Sequence, residues 1–429
     1  MYAGVNRHNI VLVSALLTVV LSFGGCGKPA ADDDAVIVPA KEYTVDCKFG
    51  NDTLRTQTSL AIDPKDSNIV YVGVQNEGGV FKTSNGGDSW KRIDSGINYY
   101  KKTDGGYCLN EVYSKTIDPS NSSRVCLALE GGTGTHDLDL SKYGGVYCSE
   151  NGGDSWKQLI DAKMNAAVYS VAIVPGDSSI MFAGVLGGSL PGSTVVYHTV
   201  GVVYKTTDGG VSWKEVPTGF FNGLRASRVM IHPTDPKIVY ASTMVIDPIS
   251  RKASTTEAGL LKSIDGGSTW QAANTGLANY EDQHLVWMDV SERDPNHIIV
   301  AGAGLVNHTL WISSNGGGSF TAVTAISGKI MAFDSNDFTG STIYALGSNR
   351  FENTGYLMKT IDFGANWTKA GLLPDDIWSK SLELSSIRVS RSSSNVIYIS
   401  ASKAAVYKSL DGGATWKKIL SDTDLPAKF

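Results

Sequence analysis

The sequence predicts an all-β fold, a seven-bladed β-propeller with four antiparallel strands per blade, and three observations predict it. One octapeptide recurs seven times, a second motif precedes every copy, and short apolar runs between them are cut by Gly, Asp, Asn, Ser and Pro turns. The octapeptide reads TSNGGDSW at 83–90, SENGGDSW at 149–156, TTDGGVSW at 206–213 and SIDGGSTW at 263–270. It continues as SSNGGGSF at 313–320, TIDFGANW at 360–367 and SLDGGATW at 409–416. Successive copies start 47 to 66 residues apart. The preceding motif is clearest as SLAIDPKDSNIVYVG at 59–73, with counterparts at 170–184 and 228–242 and worn copies starting near 114, 287, 330 and 386.

Each repeat reads as four strands in order. In the first, 59–62 is a short apolar run, and a Pro/Asp/Asn/Ser turn follows it. The run 69–74 is β-branched and aromatic, 79–83 is a third strand, and 89–93 is a fourth entered through the octapeptide. Four-stranded units at this period are propeller blades, which bury their faces only against neighbouring blades. The first copy opens on strand one and the last closes on strand four, so each blade is expected within one repeat. Residues 43–48 are a candidate extra strand at the ring junction.

The octapeptide has its own logic. Its third residue is Asn85, Asn151, Asp208, Asp265, Asn315, Asp362 or Asp411. Such a side chain accepts hydrogen bonds from the N–H groups of its own turn. The glycines after it take positive φ without a Cβ clash. The closing Trp, or Phe320, starts the next strand as an apolar anchor. This pattern resembles the Asp-box, or bacterial neuraminidase repeat, over about residues 58–420. In that family the box shapes the blade periphery, which gives these seven residues a structural role rather than a metal-binding one.

The first 25 residues read as an export signal. Arg7 and His8 precede an apolar run at 10–23, too short for the roughly 20 residues of a membrane span. Gly24, Gly25 and Cys26 then resemble a bacterial lipobox, with Phe23 where that family usually has Leu. The resemblance implies a lipid on Cys26, export, and placement at the outer membrane because Gly27 is not the Asp of inner-membrane retention. Residues 26–42 read as a solvated tether and 43–429 as the propeller. Four further cysteines, Cys47, Cys108, Cys126 and Cys148, allow three pairings in an oxidising compartment. Cys126 falls on strand two and Cys148 on strand three of blade two, in the columns of Tyr71 and Lys82, so these two are expected to pair. No Cys/His spacing suits a metal, and no cofactor is expected. A net charge of −5 disfavours nucleic acid as a partner.

The strand 2–3 and 4–1 connections are long and variable, whereas the 1–2 and 3–4 turns are short. Binding is therefore expected on the face that carries the long connections. These hold Tyr99, Tyr100, Tyr107, His136, Tyr143, His198, Phe220, Phe221, Arg225, Tyr280, His284, Phe351 and Trp378. Aromatic rings with scattered polar partners suit a glycan or protein ligand, or they pack the loops onto the blades. The first strands, otherwise small and apolar, also carry Lys115, Arg228, Trp287, Asp289 and Arg388. Charges near the axis need pairing or water, so they hold an anionic ligand or form an internal Asp289–Arg388 pair.

Three families with this repeat frame the function. Sialidases carry an arginine triad and an Arg-Ile-Pro-like motif, and this chain shows neither. Xyloglucanases match better in their Asp-Pro turns and Val-Tyr-Ala-Gly strands, but they bind glycan between two propellers, each giving a catalytic Asp. By the Gly78-Gly79 match, that position here is Asn76, an amide that cannot act as a base; Glu77 is its neighbour. Asp137, Asp139, Glu257, Glu281, Asp282 and Glu352 are the loop carboxylates left to a hydrolase, which needs a facing pair. Photosystem II assembly factors of the same repeat class are protein-binding scaffolds. The reading is a non-catalytic envelope propeller that binds a protein or glycan, with a glycoside hydrolase as the alternative.

Overall fold

The computed structural model describes residues 58–74, 79–101, 107–108, 112–129, 144–159, 167–186, 203–216, 224–245, 259–277, 283–304, 308–326, 329–334, 341–349, 354–379 and 384–425. All of them lie in one compact unit, Tyr43–Phe429. They form seven four-stranded antiparallel sheets, each in simple sequence order. Blade one runs Thr58–Ile62, Val70–Val74, Gly79–Thr83 and Lys91–Arg92, and blade seven runs Leu384–Ser390, Ser393–Ala401, Ala405–Ser409 and Lys417–Leu420. The fold is the seven-bladed propeller, with each blade inside one repeat. The outer strand is shorter than expected, only two residues in blades one, two and four. Its first two residues in these blades are exposed or half-buried, so little apolar burial extends it. A small hairpin, Tyr100–Lys101 with Tyr107–Cys108, was not evident in the sequence. The candidate strand at 43–48 lies outside the described residues, as do Cys26, Cys47 and the whole of 1–42.

Seven apolar clusters hold the ring, one at each joint between blades. The joint between blades seven and one packs Leu60, Val70, Val72 and Phe81 against Tyr398, Val406 and Leu420. Burying such side chains contributes roughly 1.5–3 kcal/mol each, so among the described residues packing joins the two ends of the ring.

The octapeptide turns are built alike. Position one is the hub: Thr83 Oγ1 donates to Asn85 Oδ1 at 2.8 Å and accepts from the Gly87 N–H at 2.9 Å. The same Asn85 oxygen accepts from the Ser89 N–H at 3.0 Å. Ser149, Thr206, Ser263, Ser313, Thr360 and Ser409 repeat the hub in the other blades. Sequence reading credited the third residue, the glycines and the closing aromatic, and missed the hydroxyl that ties the third residue to the turn. The N–H of the fourth residue then donates to the blade's own 1–2 turn, as Gly86 does to the Asn68 carbonyl at 2.9 Å. Phe363 takes that fourth place in blade six at φ 56°, where the other six copies have Gly.

The four Asp copies differ from the three Asn copies in charge. Ser212 and Thr415 hydroxyls donate to Asp208 and Asp411, and Thr269 does so to Asp265. These bonds, and for Asp362 first the bond from Thr360, pull the carboxyls down to about 2 from the ordinary 3.8. A lowered folded-state value gives stability that is present above pH about 4 and lost as pH falls toward 2. Acid denaturation followed by circular dichroism is expected to begin in that window. Replacing Asp208, Asp265, Asp362 and Asp411 together by Asn should flatten the loss, and an unchanged acid limb would refute the assignment.

Candidate functional site

The first strands surround the axis, and their N-terminal ends point toward the long connections. At that end six of the seven carry a β-bulge at one level. The register slips between Val112 and Ser114, Val168 and Ser170, Ala226 and Arg228, Leu285 and Trp287, Ile330 and Ala332, and Leu384 and Ser386. Blade one pairs without a slip. The inserted residues are Tyr113, Tyr169, Ser227, Val286, Met331 and Ser385. A bulge re-aims one side chain and bends its strand, and bulges concentrate beside binding and active sites.

Two of the inserted residues meet. The rings of Tyr113 and Tyr169 stack across the joint of blades two and three, with centroids 3.9 Å apart and planes 15° off parallel. Both are half-buried. The residue after each bulge forms one column: Ser114, Ser170, Arg228, Trp287, Ala332 and Ser386. Arg228 and Trp287 are half-buried in it, and Trp287 leans on the core between blades five and six. Ser170 Oγ accepts from the Val229 N–H at 2.9 Å, which stitches blades three and four at this level. Sequence reading named Arg228 and Trp287 but missed the two tyrosines, because an inserted residue leaves no mark on a mixed alternation.

Further along, the charged residues are embedded in the ring. Lys115 stands in the register column of Leu60 and Val171, and its ammonium donates to the Ser59 carbonyl at 2.9 Å and to the Ser59 hydroxyl. Burial, with the Arg388 guanidinium nearby, holds its pKa well below the usual lysine value. Gly73 makes room for it, since a Cβ there would come within 2.9 Å of the ammonium nitrogen. Asp289 and Arg388 share one column, opposite Ile299 and Tyr398. Asp289 accepts from the Val290 N–H at 3.1 Å, and Arg388 donates to the Ile387 carbonyl at 2.7 Å. An ion pair joins Arg391 of blade seven to Glu292 of blade five. Burial raises the Glu292 pKa against the pull of Arg391.

Tyr99 belongs to a network at the edge of blade one. Its hydroxyl donates to Asp94, Arg92 Nε donates to the same carboxylate at 2.6 Å, and Arg92 Nη2 donates to the Tyr99 oxygen at 3.2 Å. Burial and the Asp94 charge push the Tyr99 pKa well up. Tyr100 and Tyr107 lie in the small hairpin, opposite Cys108 and Lys101 respectively, Arg225 and His284 lie in first strands, and Trp378 is in a short helix, Asp375–Ser379. For these five only the backbone is described. His136, Tyr143, His198, Phe220, Phe221, Tyr280 and Phe351 lie outside the described residues, as do Asn76, Glu77 and the loop carboxylates Asp137, Asp139, Glu257, Glu281, Asp282 and Glu352. Among the described residues no cluster of His, Cys, Asp and Glu suits a metal.

The cysteines of blade two are joined. Cys126 and Cys148 face each other in the ladder, with Cα atoms 4.1 Å apart and a bond between their sulfurs. Both are buried in the joint of blades two and three beside Met181, Val171 and Trp213.

The architecture and this site define a seven-bladed propeller with a bulged, aromatic and basic end to its inner strands. No family model matches the chain. It is 22% identical over 314 residues to the xyloglucanase Xgh74A of Acetivibrio thermocellus, covering 64% of this chain and 36% of that enzyme. The fold resembles the GH74 enzyme of Niastella koreensis with a TM-score of 0.62 at 17% identity, over 86% of this chain and 54% of the other. It also resembles YCF48 bound to D1 peptide, with a TM-score of 0.51 at 13% identity, over 83% of this chain and 94% of the other. The chain thus spans about a third of the curated relative and about half of the GH74 structure, and its likeness reaches both an enzyme class and a peptide-bound propeller.

Proposed function

We propose that this protein is a non-catalytic binding propeller that takes a glycan or an extended protein segment at the loop-rich end of its inner strands. The observation that carries the reading is the common level of bulges in blades two to seven. It gathers Tyr113, Tyr169, Arg228 and Trp287 at one end of the axis, where stacking surfaces and a cation serve binding rather than bond cleavage. Asn76 supports it, since an amide stands where the xyloglucanase resemblance places a catalytic Asp, and acid–base assistance worth about 10²–10⁴-fold in rate would go with it. The Asp-box repeats build the scaffold and take no part in the site.

The second reading is a glycoside hydrolase, favoured by the xyloglucanase likeness. One experiment separates the two: titrate the protein with xyloglucan oligosaccharides, other β-glucans and a peptide library, and assay the same sugars for release of reducing ends. Saturable binding without turnover is expected, weakened at least tenfold in Trp287→Ala. Sustained sugar release would overturn the binding reading.

A further inference from the structure

One cation of the inner strands lacks a counter-charge among the described residues. Lys115, half-buried on the first strand of blade two, directs its ammonium at two oxygens of Ser59, the carbonyl at 2.9 Å and the hydroxyl. Both oxygens are neutral, and the Ser59 hydroxyl is itself committed as a donor to the Val112 carbonyl at 2.6 Å. An ammonium carries three donors, so one N–H remains after Ser59. The charge that acts on Lys115 is the Arg388 guanidinium, which has the same sign. The two cations come from blades two and seven, the neighbours of blade one on either side, and Arg388 stands one ladder position further from the bulges. An ammonium drawn out of water beside a guanidinium is unfavourable until an anion joins it.

The surroundings set the side from which that anion arrives. At the turn end of the axis, Arg391 of blade seven and Glu292 of blade five form an ion pair past the intervening blade six, so side chains span the ring there. At the loop-rich end, Arg228 and Trp287 stand one ladder position before Lys115, and the bulges before them carry the Tyr113–Tyr169 stack. A strand advances about 3.3 Å per residue, so rings and ammonium lie within roughly 7 Å of each other along the strands.

From this we infer that Lys115 is a carboxylate site, and that the ligand is a glycan bearing a uronate unit whose ring stacks at the aromatic level while its carboxylate reaches the ammonium. The inference rests on the binding function proposed above. A chain-terminal peptide carboxylate supplies the charge alone, whereas a uronate supplies charge and stacking face in one unit. The incoming carboxylate offsets both the burial and the Arg388 repulsion that lower the Lys115 pKa, so the bound form is the ammonium.

Calorimetric titration of the full chain with cellotriose, the glucuronate trimer of the same linkage and the methyl ester of that trimer tests it. The ester keeps every ring and removes the charge. The acid is expected to bind at least tenfold tighter than the ester, the difference made by one hydrogen bond to a charged group. Lys115→Met should bring the acid down to the affinity of the ester, in a protein whose thermal melt by circular dichroism shows it folded. Absent binding of the acid, or equal binding of acid and ester by the unmodified protein, overturns the carboxylate site whether or not the variant folds. So does a preference for the acid that survives in folded Lys115→Met. A tetrapeptide that binds where the uronate does not, and that loses affinity when its terminal carboxylate is amidated, overturns the glycan assignment. Failure of the binding reading itself looks different, as sustained release of reducing ends from these sugars.

Discussion

Gly276→Ala is expected to destabilise the propeller by about 3 kcal/mol, while Gly176→Ala costs only about 1 kcal/mol. The two glycines have the same φ, 82°. Any L-residue pays the same left-handed strain at both, which sets the smaller figure. A Cβ on Gly176 meets nothing within 4 Å, whereas one on Gly276 would overlap the Phe320 carbonyl oxygen and come within 3.0 Å of its carbon. That close approach is how blade four receives blade five: the Phe320 N–H donates to the Thr275 carbonyl at 2.8 Å beside it. Blade one receives blade two in the same way, through Gly96 and the Trp156 N–H bonded to Ser95. Backbone cannot yield as a flexible side chain would, so the joint must open or the turn must shift. Urea unfolding of both variants checks the prediction, and equal midpoints would show that strain alone decides at Gly276.

The blades were legible because their signal repeats. Seven copies of a turn built on Ser or Thr, Asn or Asp, and Gly fix seven corners, and the apolar run before each fixes the strand ahead of it. The columns that join neighbouring blades were less visible. Tyr71, Phe182, Tyr240, Tyr344 and Tyr398 stand in one and Lys82, Lys205, Lys262, Lys359 and Lys408 in another. Tyr71 and Lys82 both donate to the Gly152 carbonyl of the next blade, at 3.1 and 2.9 Å. A lysine on a strand reads as solvent-facing until a neighbouring carbonyl is known to lie under it. The bulges were invisible for a different reason. Val112-Tyr113-Ser114 has the composition of any strand, and only the partner's register reveals the extra residue. Sequence reading placed binding on the long connections by length alone, and residues such as Phe220 and Tyr280 depend on connections whose conformation no repeat constrains. The columns of Asp289 and Arg388 could be aligned from sequence, whereas the Glu292–Arg391 pair spans two blades that are not adjacent and had no local signal.

Replacing Cys126 and Cys148 by Ala is expected to lower stability by about 3 kcal/mol, the chain-entropy figure for a bridge closing a loop of 22 residues. For a domain of this size that corresponds to a fall of roughly 4 °C in Tm by scanning calorimetry. The loss should be felt at one joint, since both sulfurs sit in the core shared by blades two and three. Cys126→Tyr with Cys148→Lys provides the sharper comparison. It removes the same bridge but restores the aromatic and lysine that the other blades place in these columns, aimed at the Gly209 carbonyl of blade three. Space favours it, because a Cβ built on Gly209 meets nothing within 4 Å. Two new hydrogen bonds at about 1 kcal/mol each should return roughly half to two-thirds of the loss. A Tm for the Tyr/Lys protein no higher than that of the Ala/Ala protein would mean that blade two cannot make these two hydrogen bonds. The disulfide would then be a feature of blade two alone, rather than a replacement for the Tyr and Lys bonds that other blades make from these columns.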